Sequence, residues 1–176
     1  MHPKRVPPKT VGILTAKEYN VCVDQYADNI YRFVLKHLKN QDAANDVVQD
    51  TFAKVWVKKD DVSFEKAKSY LFTTAHHTLI DVVRKEKFST ALESAEKVHF
   101  TGAARNMDLQ TILHAALDTL PEIQKTVVLL RDYEGYNYDE IGEITKLTES
   151  QVKVYIFRAR KKLQEILVSV EAVLEN

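Results

Sequence analysis

Residues Thr148 to Gln164 read TESQVKVYIFRARKKLQ. Lys153, Arg158, Arg160, Lys161 and Lys162 face a single carboxylate, Glu149, in a chain whose total charge is neutral. Val152, Ile156, Ala159 and Leu163 recur at steps of three and four, extended by Ile166, which predicts an amphipathic helix. Thr148 with Gln151 three residues later fits a capping box at its start. Just upstream, YNYDEIGEITKL sets Ile141 and Ile144 on one face of a short helix, and a tight break follows at Lys146-Leu147. Two short helices joined by a few residues, the second one basic, form the helix-turn-helix pattern. Such a second helix offers its leading residues to the major groove of DNA. Ser150, Gln151, Lys153, Val154 and Tyr155 lie near that end. Gln151 suits adenine, and Lys153 suits guanine or a phosphate. Arg158, Lys161 and Lys162 lie further along and suit phosphates, which position a helix without reading sequence. A basic helix with a merely solvated polar face fits the same residues, so the rest of the chain has to decide.

The 176 residues can form one domain or two small ones. The hydrophobic content of 45% is that of a globular protein. Cys22 is the single cysteine, which excludes a disulfide framework and a cysteine-based zinc site. No apolar run reaches the roughly 18 residues of a membrane span. The opening MHPKRVPPKT is basic and proline-rich but has no apolar segment of the signal-peptide kind. Residues 1–14 therefore read as a flexible tail. Three of the four prolines lie in it, and glycine occurs only four times. An all-β chain needs many more turn residues, so long helices are expected.

Tyr19, Val23, Tyr26, Ile30, Phe33, Val34 and Leu38 mark a first amphipathic helix from about Thr15. After NQDAAND, Gln41 or Asp42 opens a second, carrying Val47, Val48, Phe52, Val55 and Trp56. Ser63 is placed to cap a third, with Phe64, Tyr70, Leu71, Leu79, Ile80 and Val83, ending near Lys87. Periodicity then fades, and residues 89–106 read as a linker. It returns at Leu109, Ile112, Leu113, Ala116, Leu117 and Leu120, and Pro121 is expected as the first residue of the next helix, which EGYN ends. Charge divides at the linker too. Residues 1–90 hold 15 Lys+Arg against 11 Asp+Glu, and residues 91–176 hold 10 against 14. The expected fold is all-α. It comprises a tail (1–14), a helical domain (15–88), a linker (89–106) and a second small helical domain (107–176) that contains the helix-turn-helix.

LDTLPEIQKTVVLLRDYEGYNYDEIGEITKLTESQVKVYIFRARKKL resembles region 4 of bacterial RNA polymerase sigma factors. DVVQDTFAKVW is similar to region 2.2 of the same family, and SYLFTTAHHTLIDVVRKEK to regions 2.3 and 2.4. The blocks occur in family order with a short linker and no region 3, as in the extracytoplasmic-function group of the sigma-70 superfamily. The resemblance spans about residues 20–88 and 108–168.

It implies a promoter-recognition subunit rather than an enzyme, working in the bacterial cytoplasm without cofactor or metal. The implied partners are core RNA polymerase, promoter DNA and an anti-sigma factor, with no insertion into a membrane. Asp46, Gln49, Asp50, Thr51 and Phe52 would meet the clamp helices of the largest polymerase subunit. The i,i+4 spacing of Asp46 and Asp50 puts both carboxylates on one face. Phe52 and Trp56 would serve either as apolar anchors or as core. Phe72, Thr73, His76, His77, Asp81, Arg84 and Lys85 would handle the melted −10 strand, with Lys87 following, since single strands are held by aromatic stacking and basic grooves. Ser150, Gln151, Lys153, Val154, Tyr155, Arg158, Lys161 and Lys162 would read the −35 element. This chain departs from the family's habit at several points. His76-His77 replaces an Arg-Asn pair, Tyr70 a Trp, Gly142 an Ala, Lys146 a Gly and Tyr155 an Arg. Tyr70 reads as core, and Gly142 as a slight loosening of its helix. A neutral chain is expected to bind DNA weakly by itself and to depend on polymerase.

Two other readings compete. A stand-alone helix-turn-helix regulator accounts for the C-terminal half but leaves DVVQDTF unexplained. A helical metal-dependent enzyme would use His76, His77 and Asp81, but His77 and Asp81 offer two ligands on one face, and a catalytic site needs at least one more.

Overall fold

The computed structural model describes residues 12–90 and 108–174. Among them there are seven α-helices and no strand. The helices are α1 (Ala16–Leu38), α2 (Gln41–Val57), α3 (Phe64–Thr90), α4 (Leu109–Asp118), α5 (Glu122–Asp132), α6 (Tyr138–Thr145) and α7 (Glu149–Leu174), with a 3-10 turn at Lys59–Asp61. The fold is the expected all-α one: a first helical domain of α1 to α3, then a second of α4 to α7 that contains the helix-turn-helix. Residues 1–11 of the expected tail and 91–106 of the expected linker lie outside the described residues.

Local chemistry sets the helix ends. Thr15 caps α1 in a full capping box with Glu18. Gln41 opens α2 as expected, and Asn40 before it caps the helix by accepting from the Ala43 N–H at 2.9 Å. Its short side chain accepts a helical N–H that would otherwise be unpaired. α3 runs on through Ser89 and Thr90, past its expected end at Lys87. Pro121 takes the cap position of α5, one residue before the place expected for it. Leu14 does not belong to a tail: it is fully buried, and its N–H donates to the Lys59 carbonyl at 2.9 Å.

In the first domain α1, α2 and α3 pack on one another. In the second, α5 is covered by α6 and α7, and α4 packs on α7. All six residues Lys125–Leu130 are buried, so α5 is enclosed on every side, as a central helix must be. Lys125 is tolerated there because its ammonium bonds Asp118 at 2.9 Å. Removing Asp118 would leave a buried charge alone, at a cost of about 3–5 kcal/mol. One expectation about an apolar position needs correction. Tyr70 is not core but 36% exposed, beside Ala53 and Val57 in a groove between α2 and α3. Trp56 is 42% exposed and lies edge-on to Tyr19 at 4.8 Å.

The buried residues of the two domains form one continuous core. α3 packs on α6, and the ring of Phe72 bridges the halves, 6.0 Å from Phe33 of α1 and 5.2 Å from Tyr136 in the turn before α6.

Candidate nucleic-acid interface

The helix-turn-helix is built as its spacing predicts. Ile141 and Ile144 of α6 are fully buried, as are Val152 and Ala159 of α7, with Ile156 nearly so. The Gln151 N–H donates to the Thr148 hydroxyl at 3.3 Å, and the Thr148 N–H donates back to Gln151 Oε1 at 2.9 Å, completing the capping box. The turn depends on two residues. Lys146 adopts the left-handed conformation, φ 61°, that glycine ordinarily supplies at a helix C-terminus. Gly142 is no mere loosening: a Cβ there would stand 2.7 Å from the Leu147 carbonyl oxygen. The missing side chain is what lets the turn fold back onto α6.

Of the candidate −35 residues, Ser150, Gln151, Lys153, Val154, Arg158, Lys161 and Lys162 are exposed on α7, and Tyr155 is half-buried. Ser150, Val154, Arg158 and Lys161 follow at steps of four, four and three, so they line one stripe. Lys153 pairs with Glu149, whose hydrogen bond raises the ammonium's pKa, and lies over the Tyr138 ring. Arg160 has a different task. Its guanidinium grips Asp132 at 2.5 and 3.1 Å, tying α7 to the end of α5. That bond raises its pKa further and keeps it as a strut.

On α3 the candidates divide between two faces. Thr73, His77, Asp81 and Arg84 lie at steps of four, four and three along one stripe, with Lys85 beside it. Thr73 is half-buried and the others are exposed. Phe72 and His76 are buried on the neighbouring face, under the second domain. The structure does not bring all seven together on one surface. α2 divides likewise. Asp46, Gln49 and Asp50 are exposed on one side. Thr51 and Phe52 were expected with them but are buried on the other. The Thr51 hydroxyl donates to the Val47 carbonyl, and the Phe52 carbonyl accepts from the Tyr19 hydroxyl. Both contacts are internal.

The junction between the domains holds further polar groups. Nδ1 of His37, near the end of α1, lies 2.5 Å from the Glu122 carboxylate at the start of α5. Burial pushes the His37 pKa down, and the bond to Glu122 only partly offsets this. The same bond holds the Glu122 carboxyl below its usual range. Both directions describe a neutral imidazole donating from Nδ1 to a carboxylate, with Nε2 left unpaired. Burial, then His77 and His37, bring the His76 pKa down to about 4. Asp118 receives both Lys125 of its own domain and Lys39 from the end of α1. Lys36 and Lys68 of the first domain lie over the rings of Tyr133 and Tyr136 of the second. Among the described residues no group of three or more His, Cys, Asp or Glu side chains is placed to share a metal ion.

Comparison with known families then decides the identity. Residues 22–89 match the model of sigma-70 region 2, and residues 110–163 match that of sigma-70 region 4. RNA polymerase sigma factor SigV of Bacillus subtilis is 32% identical over 145 residues, covering 81% of this chain and 87% of its own length. The chain belongs to the extracytoplasmic-function group of sigma-70 factors. Sigma factor SigM of Bacillus subtilis, named as a member of that group, is 27% identical, covering 80% of this chain and 90% of its own. Sigma factor RpoE of Bartonella quintana, solved in complex with the anti-sigma factor NepR, has a similar fold. The TM-score is 0.72, with 26% identity, covering 86% of this chain and 98% of that one. CnrH, solved with the cytosolic domain of CnrY, shares the fold with a TM-score of 0.68.

As an alternative sigma factor, the chain promotes transcription initiation. Its region 2 is α1 to α3 and its region 4 is α4 to α7. Between them lies what the sequence did not disclose: His37, Asp118, Glu122 and Tyr136, which join the two regions. No local pattern marks them, because His37 and Glu122 are 85 residues apart and meet only in the folded chain.

Proposed function

We propose that this sigma factor docks on core RNA polymerase through the exposed face of α2, with Asp46, Gln49 and Asp50 receiving basic side chains of the polymerase. The exposed stripe of α7, Ser150, Val154, Arg158 and Lys161 with Gln151, Lys153 and Lys162 beside it, reads the −35 element as duplex. The stripe of Thr73, His77, Asp81 and Arg84, with Lys85, holds the melted −10 strand. Phe72 and His76 join that task only once the two regions part.

The order of events follows from exposure: the docking face of α2 is open while part of the −10 face of α3 is covered. The observation that carries the reading is the pair of family blocks in order, with exposed cations on α7 and exposed carboxylates on α2. A further partner is an anti-sigma factor, as RpoE has in NepR. The factor works in the cytoplasm, uses no cofactor and performs no catalysis itself. No helix among the described residues is long and apolar enough to cross a membrane.

The test mixes the purified chain with bacterial core polymerase and a genomic promoter library, and maps transcript starts. Initiation at a defined promoter set, dependent on the chain, supports the reading. Tight binding to an operator without polymerase would replace it with the stand-alone regulator.

A further inference from the structure

Folded cores give buried polar atoms partners. Among the described residues, five buried side-chain atoms have none: His37 Nε2, both ring nitrogens of His76, the Tyr136 hydroxyl and Thr126 Oγ1. Four of the five belong to residues at the junction of regions 2 and 4. Tyr136 packs on Phe72, His37 bonds Glu122, and His76 lies in electrostatic reach of both His37 and Glu122. If the regions part, water can satisfy each of these atoms, so the contact is built to be reversible.

We propose that the junction is a proton-sensitive clasp, holding regions 2 and 4 of the free sigma factor together while His37 and His76 are neutral and releasing them when these take up protons. The titratable and charged groups that bear on the pair come from four helices. α5 supplies Glu122 and Lys125, α4 supplies Asp118, α3 supplies His77, and Lys87 of α3 bears on Glu122. Lys39 of α1 bears on Asp118. A protonated His37 keeps Glu122 but meets Lys125, and its new Nε2–H faces no acceptor. A protonated His76 meets His77 and His37 and has no acceptor for either N–H.

The sign follows from linkage. In the closed form both pKa values are held below the ordinary histidine value, His76 at about 4 against 6.5. The parted form binds protons first, so closure is strongest above about pH 6.5 and weakens as pH falls toward 4. For His76 alone, the ratio of parted to closed molecules rises on the order of twentyfold between pH 7 and pH 5. That parting frees a promoter-binding face rests on the function proposed above; the clasp itself does not.

The experiment reads shape and not DNA binding, so the two can fail separately. Small-angle X-ray scattering is recorded on the full chain alone at pH 7.5 and 5.0, at one ionic strength, with circular dichroism in parallel. The expected result is a compact particle at pH 7.5 and an expanded one at pH 5.0 with unchanged helix content. The double variant His37→Gln, His76→Leu stays compact at pH 5.0; should it lose helix content, His76→Gln takes its place and expands less than the wild type. Equal dimensions at both pH values, expansion accompanied by loss of helix, or variants that expand as the wild type does would each overturn the clasp.

Discussion

Lys146 stands where family habit has a glycine, and Gly142 where it has an alanine. A lysine occupies the left-handed position of the turn, and the glycine lies one turn earlier inside α6. An L-residue in that conformation costs about 1–2 kcal/mol, part of which glycine returns. Lys146→Gly should therefore stabilise the protein by about 0.5–1 kcal/mol, read as a higher urea midpoint. Gly142→Ala should do the opposite. Alanine gains about 1 kcal/mol of helix propensity, but its Cβ meets the Leu147 carbonyl, and overpacking of this kind costs about 1–3 kcal/mol. A net rise in the midpoint for Gly142→Ala would show that the turn yields easily. The capping box of Thr148 and Gln151 was legible from spacing alone, because both partners sit within one helical turn. The task of Gly142 was not, because the oxygen it avoids lies beyond the turn.

At the scale of the element, each functional helix shows solvent one face and buries another, and periodicity placed the buried faces well. The docking set implied by the family resemblance cut across them. Thr51 and Phe52 follow Asp50 directly in sequence but point inward, since adjacent helical residues diverge by about 100°. Reversing charge with Asp46→Lys and Asp50→Lys should weaken binding to core polymerase on the order of tenfold or more. Unfolding stability should stay within about 0.5 kcal/mol, because both are surface residues. Unchanged core affinity in a fluorescence titration would move the docking face elsewhere. On α7, Lys161→Gln or Lys162→Gln should weaken promoter binding alike on all sequences and lower the salt slope by about one. A change in base preference would instead make that lysine a reader of bases. Arg160 should behave differently: held by Asp132, its loss would loosen α7 against α5 before it touched DNA binding.

At the scale of the molecule, the two regions share a core, and their junction covers Phe72 and His76 while leaving α2 open. Glu122→Lys sets a cation against His37, Lys125 and Lys87. The free chain should then expand at neutral pH, read as a larger radius of gyration with unchanged helix content. A chain that stays compact would show that apolar contacts such as Phe72–Tyr136 suffice for closure. The division of charge at the linker could be counted from the sequence, but the ion pairs and cation–ring contacts across the junction could not.

The sequence by itself determined the helices, their buried stripes, the helix-turn-helix and its capping box. Each rests on contacts within a few residues, which spacing encodes directly. Only the tertiary structure decided which of Phe72, Thr73, His76 and His77 face solvent, that Trp56 and Tyr70 are partly exposed, and that His37 meets Glu122. Those facts depend on which helix lies against which face. That choice is set by the summed packing of residues far apart in the chain, and no local period records it.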